Sequence, residues 1–166
     1  MTTDVPEGFA PIVAGGDFIG VNGPLYLRQA GDRVELGFRV ESRHTNGMAI
    51  CHGGMMATFC DMLLPMITRM VVPGLGNHFL PTISLQVDYL GPSPLGAWVQ
   101  GTAQALHRTG SMAFAQGLVH ADDRLVARAS GVFKISRRLR DGGVMTDADE
   151  PTVEGFTDVP GQLGTS

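Results

Sequence analysis

The sequence predicts an α+β fold in which an antiparallel sheet wraps around one long central helix. Three features predict it. The stretch from Met55 to Ile67 is apolar on every side of a helical wheel. A hairpin pattern precedes it, and four strand-like runs with short, turn-rich separators follow it. A helix that is hydrophobic all round must be enclosed by protein or lipid, and a one-faced sheet has to bury its apolar face against such an element.

The elements follow in order. Residues 1–23 carry turn formers (Pro6, Gly8, Pro11, Gly15, Gly16, Gly23) with little periodicity and read as a lead-in holding one short helical turn. In the next run Val34, Leu36, Phe38 and Val40 alternate with Glu35, Gly37, Arg39 and Glu41. With Leu25–Leu27 on the other side of Gln29-Ala30-Gly31-Asp32, that alternation predicts a hairpin with one buried face. The apolar helix comes next. Behind it, 83–89, 97–106, 112–120 and 125–135 read as strands. Their short gaps predict antiparallel sequence neighbours rather than crossovers. Pro65 inside the helix removes one N–H and should kink it. Residues 137–166 hold three basic and six acidic residues without periodicity, the pattern of a disordered acidic tail. The domain reading is therefore a lead-in at 1–23, one domain at 24–136 and a tail at 137–166.

Composition narrows the function. The chain has 166 residues, 43% of them hydrophobic, enough for one core. A formal charge of −4 lacks the basic face of a nucleic-acid binder. Two cysteines cannot make a disulfide scaffold, so a reducing, cytoplasmic setting is expected. The first sixteen residues show no basic segment followed by an apolar one, so no secretory signal is expected. From Met48 to Val72 the chain is nearly long enough to span a bilayer, but it contains His52, Gly53, Gly54, Asp61, Pro65 and Arg69. An aspartate at mid-bilayer costs about 2.5–3.5 kcal/mol, which favours a buried helix in a soluble protein and no membrane partner.

Two features carry chemistry. Asp61 is the only Asp, Glu, Lys or Arg between Arg43 and Arg69, and it lies mid-helix among apolar residues. An ionisable group so placed is a functional-site candidate; an aspartate hydrogen-bonded to backbone inside the core is the other reading. Gly53-Gly54 opens the helix although glycine disfavours a helix interior by about 1 kcal/mol per residue. Free N–H groups at a helix start suit a carbonyl oxygen that becomes negative during reaction; an ordinary glycine turn is the alternative.

The string His44-Thr45-Asn46, Cys51-His52-Gly53-Gly54 and Asp61 resembles the PaaI-like hotdog-fold acyl-CoA thioesterases. In that family's pattern an asparagine stands six residues before the histidine of His-Gly-Gly and an acid nine after it, as they do here. The likeness extends to Thr82–Pro92, with its Tyr89-Leu90-Gly91-Pro92 turn, and to Arg108–Phe114, covering roughly 24–136. It implies a hotdog fold and hydrolysis of an acyl-CoA thioester in a homodimer or dimer of dimers, with sites shared between subunits and no metal or cofactor. By the same resemblance Gly53 supplies the N–H that polarises the carbonyl, and Asp61 is general base or nucleophile. Asn46 holds water or the thioester, His52 organises the turn, Thr82 positions water, Gly54 permits close approach, and Arg108 meets the CoA phosphates. Ser84 stands where some relatives carry a further acid. Two rivals remain: a hydroxyacyl-thioester dehydratase, which would exchange the α-proton without releasing thiol, and an acyl-CoA binder without turnover.

Other groups are set aside. Cys51 and His52 are adjacent and point apart. Cys60, Asp61 and His52 lack zinc-ligand spacing, and His78, His107 and His120 have no regular spacing. The helix methionines read as core.

Overall fold

The computed structural model describes residues 5–136; the acidic tail expected over 137–166 lies outside the described residues. The elements are β1 (Ala10–Ile12), α1 (Gly16–Asn22), β2 (Leu25–Ala30), β3 (Arg33–Arg39), a 3-10 turn (Ser42–His44), α2 (Gly53–Val71), β4 (Thr82–Tyr89), β5 (Trp98–Arg108), β6 (Met112–Ala121) and β7 (Arg124–Lys134). One seven-stranded antiparallel sheet runs in the order β1-β2-β3-β5-β6-β7-β4 and packs its inner face on α2. The core centres on Phe38, Phe59, Leu63, Leu64, Ile67, Val99 and Phe133, all nearly or fully buried. The helix approaches the sheet closely because Gly101 and Gly117 carry no side chain. A methyl there would stand 2.6 Å from a Leu63 carbon and 2.9 Å from a Leu64 carbon respectively.

Four details differ from the sequence reading. First, β4 does not pair with β5; it pairs with β7 at the far edge of the sheet. The connection 90–97, spanning up to about 26 Å when extended, carries the chain past the start of α2 to β5 beside β3. Along the way Cys51 N–H donates to Ser93 O and Leu95 N–H to Ala49 O. Second, the lead-in is ordered onto the sheet. β1 pairs with β2, Phe9 packs edge-on against Trp98 at 5.0 Å, and Ile19 of α1 is buried.

Third, Glu35 and Gly37, which the alternation placed outward, are buried, Gly37 under the Trp98 ring of β5. Glu35 is only 3% exposed and is held by Arg28 Nε at 2.6 Å and an Arg33 nitrogen at 2.7 Å. A carboxylate can be buried only with such partners. Fourth, the wrap around α2 is incomplete. Ala57, Thr58, Asp61, Met62 and Pro65 stay half-exposed along one stripe of the helix. The helix runs as one 19-residue element through Pro65, which stands on that open stripe. Among the described residues no helix is long and apolar enough to cross a membrane.

Candidate active site

The approach to α2 is a tightly bonded loop. Thr45 and Cys51 form an antiparallel bridge, Asn46 N–H donates to Ile50 O, and Ala49, at φ 56°, donates back to Asn46 O. Asn46 Oδ1 accepts the Met48 N–H at 2.9 Å, an Asx turn of the kind that lets a short side chain stand in for backbone. Beneath the loop His44 is buried at 2% exposure, edge-on to Phe38. Its Nε2 accepts from Arg43 Nε at 3.2 Å, its Nδ1 lies 3.2 Å from Arg39 O, and its carbonyl accepts the His52 N–H at 2.8 Å. Burial, reinforced by the Arg43 cation, holds its pKa below the ordinary imidazole value.

The helix itself starts on a clamp. His52 is the N-cap, its Nδ1 accepting the Gly54 N–H at 2.9 Å, so the ring is there with Nδ1 unprotonated. The His52 carbonyl takes the Met56 N–H at 3.1 Å. The Gly53 carbonyl takes the Tyr89 hydroxyl proton at 2.8 Å. Between them the Gly53 N–H has no partner among the described residues and points out of the first turn, as first-turn N–H groups do. A methyl on Gly54 would come within 3.0 Å of His52 Nδ1, so the bare backbone is what lets the cap close.

Asp61 lies on the open stripe, and its Oδ1 accepts the Thr82 hydroxyl proton at 2.6 Å. This is the short range typical of hydroxyl-to-carboxylate bonds. A bulge at Ile83 between β4 and β7 re-aims the strand there, leaving Thr82 turned to the helix. Asp61 is therefore not bound to core backbone, the structural alternative; its partner is a side chain on the sheet edge. Gly53 and Asp61 stand eight positions apart on one helix, about 12 Å along its axis.

The structure thus brings His52, Gly53 and Gly54 together at the start of α2, with Asn46 on the loop entering it, and pairs Asp61 with Thr82 at mid-helix. Arg108 is elsewhere: its Nη1 donates to Pro73 O at 2.8 Å, just past the far end of α2 and about 27 Å from Gly53 along the helix. Arg128, another cation near β4, is engaged by Asp88 at 2.6 Å. Burial pushes the Cys51 thiol up to about 11 and the Cys60 thiol up to about 12, far from nucleophilic thiolates. Among the described residues no three His, Cys, Asp or Glu side chains group as metal ligands. Two contributors escaped the sequence reading. Tyr89 figured only as part of a turn, and His44 only as part of a string; neither carries a local signal for its long-range contact.

An antiparallel sheet curled around one long helix is the hotdog architecture. Its family follows from the comparisons. The family model for the thioesterase superfamily matches residues 48–128. A Pseudomonas aeruginosa protein classed by name as an esterase is 31% identical over 133 residues, covering 80% of this chain and 98% of that relative. The chain belongs to the thioesterase superfamily. Human acyl-coenzyme A thioesterase 13 is 28% identical over 118 residues, with 69% of this chain and 80% of the relative covered. The Escherichia coli PaaI protein of the phenylacetic acid degradation operon superposes with a TM-score of 0.64 at 16% identity, covering 75% and 87% of the two chains.

Proposed function

We propose that this protein hydrolyses acyl-CoA thioesters to free acid and CoA, at sites that two copies of the chain share. The reading is carried by one observation: a Gly53 N–H with no partner among the described residues, on a doubly clamped turn, in a chain that also holds a hydroxyl-oriented carboxylate on its helix's open face. A thioester carbonyl is already activated. A donor for the developing oxyanion and a carboxylate to activate water, or to attack directly, are sufficient machinery. Thr82 occupies Asp61 Oδ1 and leaves Oδ2 for that step. Asn46 contributes its Nδ2 to water or the thioester, His52 keeps the turn, and the bare Gly54 admits the acyl group.

The 12 Å or so between Gly53 and Asp61 supports the shared site, because one reacting carbon must lie about 3 Å from both oxyanion donor and base. A two-fold partner laying its helix antiparallel would bring its own Asp61 to Gly53. The exposed Ile83, Tyr89 and Leu90 on and beside β4, an edge strand among the described residues, support such a partner. In the same reading 24–136 is the catalytic unit, acting as a dimer or a dimer of dimers. Arg108 offers the donors not given to Pro73 to the CoA phosphates, and the two free thiols suit a cytoplasmic, reducing setting. Thiol release from a panel of acetyl-, medium-chain, long-chain and aryl-CoA substrates tests it. Turnover of at least one, lost in Asp61→Asn, is the expected result; α-proton exchange without thiol release, or saturable binding without turnover, would replace the reading.

A further inference from the structure

Two hydroxyl groups from outside α2 touch its reactive parts, and they come from the two ends of one strand; within the helix the Thr58 hydroxyl donates to Gly54 O at 3.0 Å. Thr82, the first residue of β4, holds Asp61; Tyr89, its last, holds Gly53. The Tyr89 contact bears on the peptide joining Gly53 to Gly54. That peptide's carbonyl accepts the Tyr89 hydroxyl at 2.8 Å, and its N–H is bound to His52 Nδ1 at 2.9 Å. The ring also lies flush on the turn, since a methyl built on Gly53 would meet three of its atoms at 3.6 Å. A peptide unit is planar, so gripping it at both ends fixes the dihedral angles on which the preceding Gly53 N–H turns. Two successive glycines have no Cβ to restrict those angles themselves. Partial desolvation of its hydroxyl end against the turn raises the Tyr89 phenol above its ordinary value although much of the residue is exposed, so it stays a donor across neutral pH.

We propose that Tyr89 is a positioning residue: its hydroxyl and His52 together lock the Gly53–Gly54 peptide and so aim the Gly53 N–H at the thioester oxygen. The inference rests on the thioesterase reading and goes beyond it, because Tyr89 need not touch substrate. It acts on the transition state, in which the oxyanion has formed, more than on the bound thioester.

The test is Tyr89→Phe, which keeps the ring on Gly53 and removes only the hydroxyl, with Tyr89→Leu removing the ring as well. Each is assayed for kcat and KM in thiol release, for affinity toward a non-hydrolysable thioether analogue of acyl-CoA, and for Gly53 and Gly54 amide hydrogen exchange by NMR. In Tyr89→Phe, kcat should fall about tenfold while KM and analogue affinity stay within about twofold, and the Gly54 amide should exchange faster. A Tyr89→Phe variant with wild-type kcat, with unchanged amide exchange, or with its loss carried by KM and analogue affinity overturns the proposal. Should the wild-type chain release no thiol at all, the thioesterase reading fails by itself. The amide exchange then still decides whether Tyr89 clamps the turn.

Discussion

Thr82→Val tests whether the hydroxyl on Asp61 serves the reaction. The substitution is nearly isosteric and sits on an exposed edge position, so the sheet should tolerate it. What is lost is one 2.6 Å bond to Asp61 Oδ1. Hydrogen bonds to charged groups contribute about 1.5–3 kcal/mol; with water able to replace the hydroxyl at a half-open site, about 1 kcal/mol is the fair expectation. That corresponds to a fall in kcat of roughly fivefold. Asp61→Asn removes the base and should cost about 100-fold or more. The double variant is the informative one. If Thr82 acts only by orienting the carboxylate, adding Thr82→Val to Asp61→Asn costs nothing further, a coupling of about 1 kcal/mol. Chromogenic detection of released CoA thiol under saturating acyl-CoA measures all four proteins. Full additivity, or Thr82→Val at wild-type rate, would refute the orienting role; near-wild-type Asp61→Asn would remove Asp61 from the mechanism.

Two further predictions concern the turn. Gly54→Ala puts a methyl 3.0 Å from His52 Nδ1 and should set a helix gain of up to about 1 kcal/mol against a lost cap of similar size. Tm should therefore hardly move while kcat falls, and a clear rise in Tm at unchanged kcat would show that the ring had simply stepped aside. His44, buried and beside Arg43, has its pKa lowered from 6.5 in the fold. The unfolded chain then binds the proton first, so stability should decline as pH falls below 6.5. Denaturation midpoints across about pH 5–8 should show that slope, and His44→Gln should flatten it.

Much of this molecule can be read from local pattern. The all-round apolar helix, the alternation in β3 and the turn-rich gaps locate every strand from β2 onward, because periodicity reports which side of an element is buried. Pattern does not report which strand lies beside which: only the long-range return of the chain places β4 on β7 rather than on β5. Nor does alternation reveal that the outward face of β3 is itself covered, with Glu35 held by Arg28 and Arg33 of its own hairpin and Gly37 lying under Trp98 of β5, because that cover depends on strand pairing and not on the period of β3. The candidate site divides the same way. Asp61 and Gly53-Gly54 were legible because a charge among apolar residues and paired glycines at a helix start contradict their local surroundings. Tyr89 contradicts nothing; an aromatic at the end of a strand is ordinary β composition, and its bond to Gly53 exists only in the folded chain.

The separation of Gly53 from Asp61 can be turned into a decisive experiment. Gly53 is the first residue of α2, where a proline is well accepted because its missing N–H has no helical partner to lose. His52, at φ −63° and ψ 139°, already has the extended backbone required before a proline. Gly53→Pro should therefore delete the proposed oxyanion donor with little damage to the helix, and Asp61→Asn should delete the proposed base. In the proposed dimer each variant is then inactive for a different reason. If each site takes Gly53 from one copy and Asp61 from the other, a mixed dimer contains one site with both groups intact and one with neither. Equal mixing with free subunit exchange makes about half the dimers mixed, which restores about a quarter of the wild-type sites. A site built within a single chain predicts no recovery, so mixtures that stay inactive after demonstrated exchange would dismiss the shared site.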